Sequence, residues 1–400
     1  MKHLTQLFRR LASASLAASA LALFAGNAIA QQGPGVTDTE IKIGAYLPLT
    51  GSVADYGIPM LAGMQAALNV ANEAGGIKGR KFKLIYEDNK FNPQLTVSIA
   101  RKLVTRDEVL AFAVPFGTAA TAAAMDYILG EAKVPLINPY GGAEGWYSPP
   151  QANFYGVQVP PDAQARVAGR WAAKDGHKKI IIAQLTQASN ERMSAAFTQA
   201  VKSANPNTTV EVMLVKLETT DYGPLALEIA SKKPDAVALF LTLAQTLGLT
   251  KELRLQNVKT QFYGYAGIVI NSLIDIAGFG VEGLKAVSYT VPPSLDTPAV
   301  REYRAAFAKV APNEKPDYLS LNGYGMMKVF IEAVRRIDGP INRQTLVQSM
   351  DNLRNYDTGI LPPVTYSAQK HLGTSALQRV QVSGGKWISV GDSVDSEKDW

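Results

Sequence analysis

An α/β fold in two successive blocks follows from three features of the sequence. The chain has 400 residues, more than one hydrophobic core usually serves. Apolar strand-like runs alternate with segments of helical periodicity, which implies parallel βαβ units, right-handed crossovers and helices on both sheet faces. The alternation then restarts from Asp162. Two Rossmann-like lobes of similar design are therefore expected. With 47% hydrophobic and 18% charged residues, the chain reads as globular rather than disordered. No low-complexity segment or short-period repeat is present, so the halves resemble each other in architecture only.

The elements follow in order. "TEIKIGAYLPLTG" is a strand that ends at Pro48 and Gly51. Ile58 to Glu73 has helical spacing, with Met60, Met64, Ala67 and Leu68 on one stripe, and Gly75-Gly76 stops it. "KFKLIYEDN" is a second strand, and "PQLTVSIARKLVTRD" a helix with proline in its first turn. "VLAFAVP" and "VPLINP" continue the alternation. In the second block a helix begins at Asp162, followed by strand "KIIIAQL", helix Glu191 to Ala204, strand "VEVMLVKL", helix Leu225 to Ser231 and strand "AVALFLT".

The first thirty residues read as an export signal. Lys2, Arg9 and Arg10 precede a short apolar stretch, Leu11 to Phe24, and Ala28-Ile29-Ala30 supplies small residues at signal-peptidase spacing. Cleavage after Ala30 and a periplasmic destination are expected, without a lipid anchor because no cysteine lies near the site. The remaining chain keeps a modest, scattered basic excess, which gives no basis for nucleic-acid binding. The chain contains no cysteine, which removes disulfides and thiolate chemistry. Outside the leader only His177 and His371 are available for metal or acid–base work, and neither neighbours a nucleophile motif. No Walker A or G-x-G-x-x-G signature appears. No catalytic residue, metal site or cofactor is expected.

Open parallel sheets bind ligands outside the carboxyl ends of their strands. Two loops that leave such ends, Phe116-Gly117-Thr118 and Asn138-Pro139-Tyr140-Gly141-Gly142, should lie side by side. The first opens a helix whose unpaired amides make an anion site; Gly117 permits close approach, and Thr118 and Thr121 add hydroxyls. Thr118 capping its own helix is the structural alternative. Tyr56 and Tyr140 each offer apolar area with one hydroxyl, against a purely packing role.

"IKIGAYLPLTGSVADYG", "AGMQAALNVANEAGGIKGRKFKLIYEDNK" and "EAKVPLINP" together resemble the Leu/Ile/Val-type family of periplasmic substrate-binding proteins, which serve ABC importers. The resemblance runs from about Glu40 to Trp387. It implies a type I periplasmic binding protein fold, two α/β lobes joined by three crossover strands with the ligand closed between them. Residues 31–157 and 291–363 would form the first lobe after a signal peptide over 1–30; residues 158–290 and 364–400 would form the second. Crossings would fall near Val157, Thr290 and Val364, and "ALQRVQVSGGKWISV" would add strands to the second lobe.

The family's ligand contacts match residues 51–56, 116–121 and 138–142 in the first lobe, and 188–191, 241–244 and 263–268 in the second. The second set offers Asn190, Thr242, Tyr265 and Ala266. Amino-acid binders of the family usually pair the ligand's α-ammonium with an acidic residue on the loop aligned to "FYGYAGIVINS". Phe262 to Ser272 contains no Asp or Glu. A buried ammonium without a partner is costly, so an organic acid lacking an amine, an aromatic carboxylate above all, is the expected ligand. Glu191 or Asp221 swinging in would restore the amino-acid default. The expected role is delivery of this solute, by a monomer, to an inner-membrane ABC permease. A soluble sensor for a membrane signalling partner is the other possibility.

Overall fold

The computed structural model describes residues 33–398, so the expected leader and its cleavage site after Ala30 lie outside the described residues. Strands β1 (Glu40–Leu47), β2 (Lys81–Asp88), β3 (Ala111–Ala113), β4 (Leu136–Ile137) and β5 (Phe154–Tyr155) pair in parallel in the order β2-β1-β3-β4-β5. A second sheet holds β6 (Lys179–Leu185), β7 (Thr209–Val215), β8 (Ala236–Phe240), β9 (Gln261–Tyr263) and β10 (Lys285–Ser288), parallel in the order β7-β6-β8-β9-β10. Counted within each sheet, both orders are 2-1-3-4-5. Beyond β10 the sheet continues with antiparallel β11 (Ala376–Ser383) and β12 (Lys386–Ser389), and β13 (Val394–Asp395) also pairs with β11.

Strand composition follows position. The inner strands β1 and β6 bury both faces, so Ile41, Ile43 and Ala45 in one, and Ile180, Ile181 and Ile182 in the other, are fully buried. The edge strand β2 exposes Lys81 and Lys83 on alternate residues. β3 and β4 are shorter than their apolar runs because prolines interrupt "VLAFAVP" and "VPLINP".

Eleven α-helices are described: α1 (Ala54–Glu73), α2 (Pro93–Thr105), α3 (Thr118–Met125), α4 (Pro161–Lys174), α5 (Ala188–Ala204), α6 (Gly223–Lys232), α7 (Leu243–Leu255), α8 (Asn271–Ala277), α9 (Pro298–Val310), α10 (Tyr318–Arg335) and α11 (Arg343–Asp351). α1 starts four residues before the expected Ile58, with Asp55 in its positive first turn. α10 returns to the first sheet and packs along α1 through glycine. A Cβ on Gly63 would lie 1.8 Å from the Ser320 carbonyl oxygen, and one on Gly323 2.3 Å from that of Met60. This backbone contact fixes the helix that carries Tyr56.

Three segments run side by side between the sheets. The Gly156 amide donates to the His371 carbonyl at 2.9 Å, and the Gly373 amide donates back to Gly156 at 2.8 Å. Val291 N–H donates to the Ile360 carbonyl at 3.1 Å. In both sheets the strand order reverses beside the first strand, between β1 and β3 and between β6 and β8. The loops leaving those carboxyl ends face one another across a cleft.

Candidate functional site

The cleft holds a cavity of about 120 Å³. Its first wall is built where the loops after β3 and β4 meet. Sheet pairing continues past the prolines: Tyr140 N–H donates to the Pro115 carbonyl and Gly117 N–H to the Tyr140 carbonyl, both at 2.8 Å. This register stacks the Phe116 and Tyr140 rings, with centroids 4.7 Å apart and planes 15° apart. Tyr56 and Phe91 also meet Phe116, each with centroids at 6.3 Å.

The glycines after Tyr140 orient two polar side chains. Gly141 N–H donates to Gln158 Oε1 at 2.7 Å, and Gly142 N–H donates to Thr118 Oγ1 at 3.0 Å. Gly141 has φ +119°, and a Cβ there would meet Thr118 Oγ1 at 2.7 Å and Thr118 N at 2.9 Å. Only glycine fits that approach. The cap of α3 is Gly117 (φ +107°), and Thr118 is the first helical residue, so Thr118 does not cap its own helix. Its oxygen accepts from Gly142 and its hydroxyl hydrogen remains to be donated. The first amides of α3 lack intrahelical partners and face the same region.

The second wall differs. Asn190 donates through Nδ2 to the Phe240 carbonyl at 2.9 Å and accepts from Ser189 Oγ at 3.2 Å. Thr242 caps α7 in a capping box with Gln245. Tyr265 Oη donates to the Leu241 carbonyl at 3.4 Å. Leu185 and Met193 add apolar surface. Across the cleft, Tyr56 Oη accepts from Leu243 N–H at 2.8 Å, a first-turn amide of α7, so one hydrogen bond of the protein itself ties the walls together.

Nine of the eleven residues expected from sequence line this cavity: Tyr56, Phe116, Gly117, Thr118, Tyr140 and Gly141 on one wall, and Asn190, Thr242 and Tyr265 on the other. Thr121 and Ala266 do not. Thr121 is fully buried behind the wall, where its hydroxyl accepts from Tyr46 at 3.1 Å. The Ala266 amide donates to Gln164 Oε1 at 3.0 Å. Phe91, Gln158, Gln187 and Met193 line the cavity and were missed.

Among the described lining residues there is no Asp, Glu, Lys, Arg or His. The titratable groups are tyrosines, and burial pushes all three upward: Tyr140 to about 12, and Tyr56 and Tyr265 further, helped by neighbouring tyrosines. Each stays protonated and neutral. Glu191 and Asp221 are exposed and outside the lining; Asp221 Oδ1 accepts from Gly223 N–H at the start of α6. The two described histidines lie elsewhere, His177 against Tyr263 Oη at 3.0 Å and His371 on the Gln151 carbonyl at 2.9 Å. No cluster of potential metal ligands exists among the described residues.

A sequence profile described as "Periplasmic binding protein" matches residues 40–386. The chain is 23% identical to Leu/Ile/Val-binding protein homolog 3 of Brucella melitensis biotype 1 over 352 residues, 88% of this chain and 94% of that protein. Among solved structures, a possible leucine/isoleucine/valine-binding protein from Rhodopirellula baltica superposes with TM-score 0.81 at 21% identity, covering 88% of this chain and 97% of that one. An ABC-transporter solute-binding protein from Rhodopseudomonas palustris in complex with 3,4-dihydroxybenzoic acid gives 0.78 at 19% identity, covering 90% and 98%. A branched-chain amino acid ABC transporter protein from Thermus thermophilus with bound valine gives 0.79 at 17% identity, covering 90% and 97%. At these identities the structural likeness establishes the type I periplasmic binding protein fold.

Proposed function

The chain belongs to the periplasmic binding protein family, the solute-binding components of ABC transporters, and from that premise we propose that its solute is a small organic acid without an α-amine, an aromatic carboxylate. The observation that carries this reading is the uncharged lining. An α-ammonium enclosed here would meet no acidic side chain, and an unpaired buried charge costs several kcal/mol, roughly 3–5 by analogy with broken buried ion pairs. A carboxylate has the Thr118 hydroxyl and the first amides of α3 as donors, and the stacked Phe116 and Tyr140 rings beside them for an aromatic body. The Rhodopseudomonas palustris neighbour, bound to a dihydroxybenzoate, supports a ligand of this class on this fold.

The family default, a branched-chain amino acid, is the second reading. It is favoured by the names of the relatives and by the valine-bound neighbour. It requires Glu191 or Asp221 to move into the cavity from exposed positions outside it.

The lobes would comprise residues 31–157 with 291–363 and 158–290 with 364–400, a division supported by the separate pairing of β1–β5 and of β6–β10. In transport, ligand on the first wall would bias an open–closed equilibrium by gaining contacts from the second only on closure. Export with cleavage after Ala30, a monomeric state and delivery to an inner-membrane permease complete the reading. A thermal-shift screen over organic acids, amino acids and amides, followed by titration calorimetry with leucine and with benzoate-like acids, tests it. Tight leucine binding with no response to any amine-free acid overturns it.

A further inference from the structure

We propose that Gln158 is a specificity-determining residue of this cavity, whose amide nitrogen donates to an acceptor oxygen of the ligand and penalises a cationic group there. Gln158 lies on the segment that crosses from β5 to α4, where the floor of the cleft is shared by both walls. Its residue exposure is 4%, and it lines the cavity.

The orientation of its amide is fixed by chemistry. Gly141 N–H is a donor 2.7 Å from one end of the amide, so that end is the oxygen; the reversed amide would oppose two donors. The nitrogen therefore points away from Gly141. It donates no hydrogen bond among the described residues, and it is not one of the sealed, unpartnered atoms such as Tyr147 Oη and Thr246 Oγ1. The little accessibility that Gln158 keeps thus includes this nitrogen. A buried amide nitrogen with two hydrogens and no partner is costly unless a ligand or water accepts from it.

Thr118 is arranged in the same way. Its oxygen accepts from Gly142 as that of Gln158 accepts from Gly141, so successive amides of one loop hold two side chains by their acceptors and leave their donors uncommitted. The pair forms a neutral, hydrogen-donating pole on one side of the cavity. Donors of this kind recognise a carboxylate, carbonyl or amide oxygen. They oppose an ammonium, which also has only hydrogens to offer. The inference rests on the uncharged-cavity reading above and adds the residue that enforces it.

Gln158→Glu isolates the point. Glutamate keeps an oxygen for Gly141 N–H and nearly the same shape, while replacing the donor by a second, negatively charged acceptor. Titration calorimetry would use wild type and variant with benzoate, benzylamine, 3-phenylpropionate and phenylalanine, after circular dichroism and melting confirm that the variant is folded. The expected result is that the best acid for wild type weakens by roughly 100-fold or more in Gln158→Glu, with an amine-bearing probe gaining affinity. Gln158→Met, which removes donor and acceptor together, is expected to weaken the acid by a smaller factor. If wild type prefers phenylalanine to both acids, the proposed ligand class fails, and Gln158 is then judged on phenylalanine itself. A folded Gln158→Glu protein that binds the preferred ligand of wild type within twofold overturns the role of Gln158, whichever class that ligand belongs to.

Discussion

The two lobes share one strand order and differ in what their loops leave unpaired. On the first wall, Gly141 and Gly142 take the acceptors of Gln158 and Thr118 and leave the donors of both facing the cavity. On the second, Asn190, Thr242 and Tyr265 spend their polar atoms on Phe240, Gln245 and Leu241, within their own lobe. Gln187, half-buried at the cap of α5, is the second wall's uncommitted amide. The same parallel strand order thus yields a polar, donating wall and a mostly self-satisfied, apolar one. The difference teaches that topology fixes where a ligand sits, while hydrogen bonds made inside each loop decide which atoms are left to hold it.

Substitutions on the two walls should separate accordingly. Thr118→Val keeps the shape, removes the uncommitted hydrogen and strips Gly142 N–H of its acceptor. Affinity for the acid should fall about 30-fold, or ~2 kcal/mol, the range for a hydrogen bond to a charged group. Calorimetry reads this directly, and a change below threefold would show that the first wall is not the polar pole.

Tyr56→Phe breaks the bond from Leu243 N–H that spans the walls. A neutral hydrogen bond contributes about 1 kcal/mol, so roughly a fivefold loss is expected. It should appear chiefly as faster dissociation, because the bond forms only when the walls are together. Stopped-flow or surface plasmon resonance kinetics separate the rates. Thr242→Ala removes a helix cap on the second wall and should cost about 1 kcal/mol of stability, with affinity changing less than threefold. A large affinity loss in that variant would abolish the asymmetry between the walls.

The smallest effect expected is none at all. With no carboxylate, imidazole or amine in the lining, and with burial raising Tyr140 from its ordinary value of 10.0 to about 12, the site exchanges no protons near neutrality. Binding of a fully ionised acid should be flat from about pH 6 to 9 and give the same enthalpy in buffers of different ionisation heat. Stability behaves differently at high pH. The folded tyrosines hold their protons where unfolded ones release them, so this contribution is intact below pH 10 and is lost as pH rises from there through the folded values.

Much of the first wall was legible in the sequence because proline and glycine punctuate it. Pro115, Gly117, Pro139 and Gly141 end two apolar runs, and parallel strands bring such ends together. Thr121 misleads because it lies within one turn of Thr118, yet that face of α3 meets Tyr46 rather than the cavity. Phe91 was hidden in a polar loop: Lys90 and Phe91 both have positive φ, held by hydrogen bonds from their amides to Asp88 and Asn89. Only the side chains that anchor the backbone bring that ring back over Phe116. Gln158 sits in "VQVPP", whose alternation reads as strand; its role depends on a contact with Gly141, 17 residues away, that no local pattern encodes. The lack of an acid from Phe262 to Ser272 was readable directly, whereas the exclusion of Glu191 and Asp221 from the lining needed the geometry.

Matched pairs that differ only in the α-amine test the central claim most directly: 4-methylpentanoate against leucine, and 3-phenylpropionate against phenylalanine, titrated calorimetrically into the ligand-free protein. An uncharged cavity should bind the deaminated member of at least the aromatic pair more tightly, by roughly 100-fold or more given the cost of an unpaired buried charge. Tighter binding of the amine-bearing member in both pairs would contradict it.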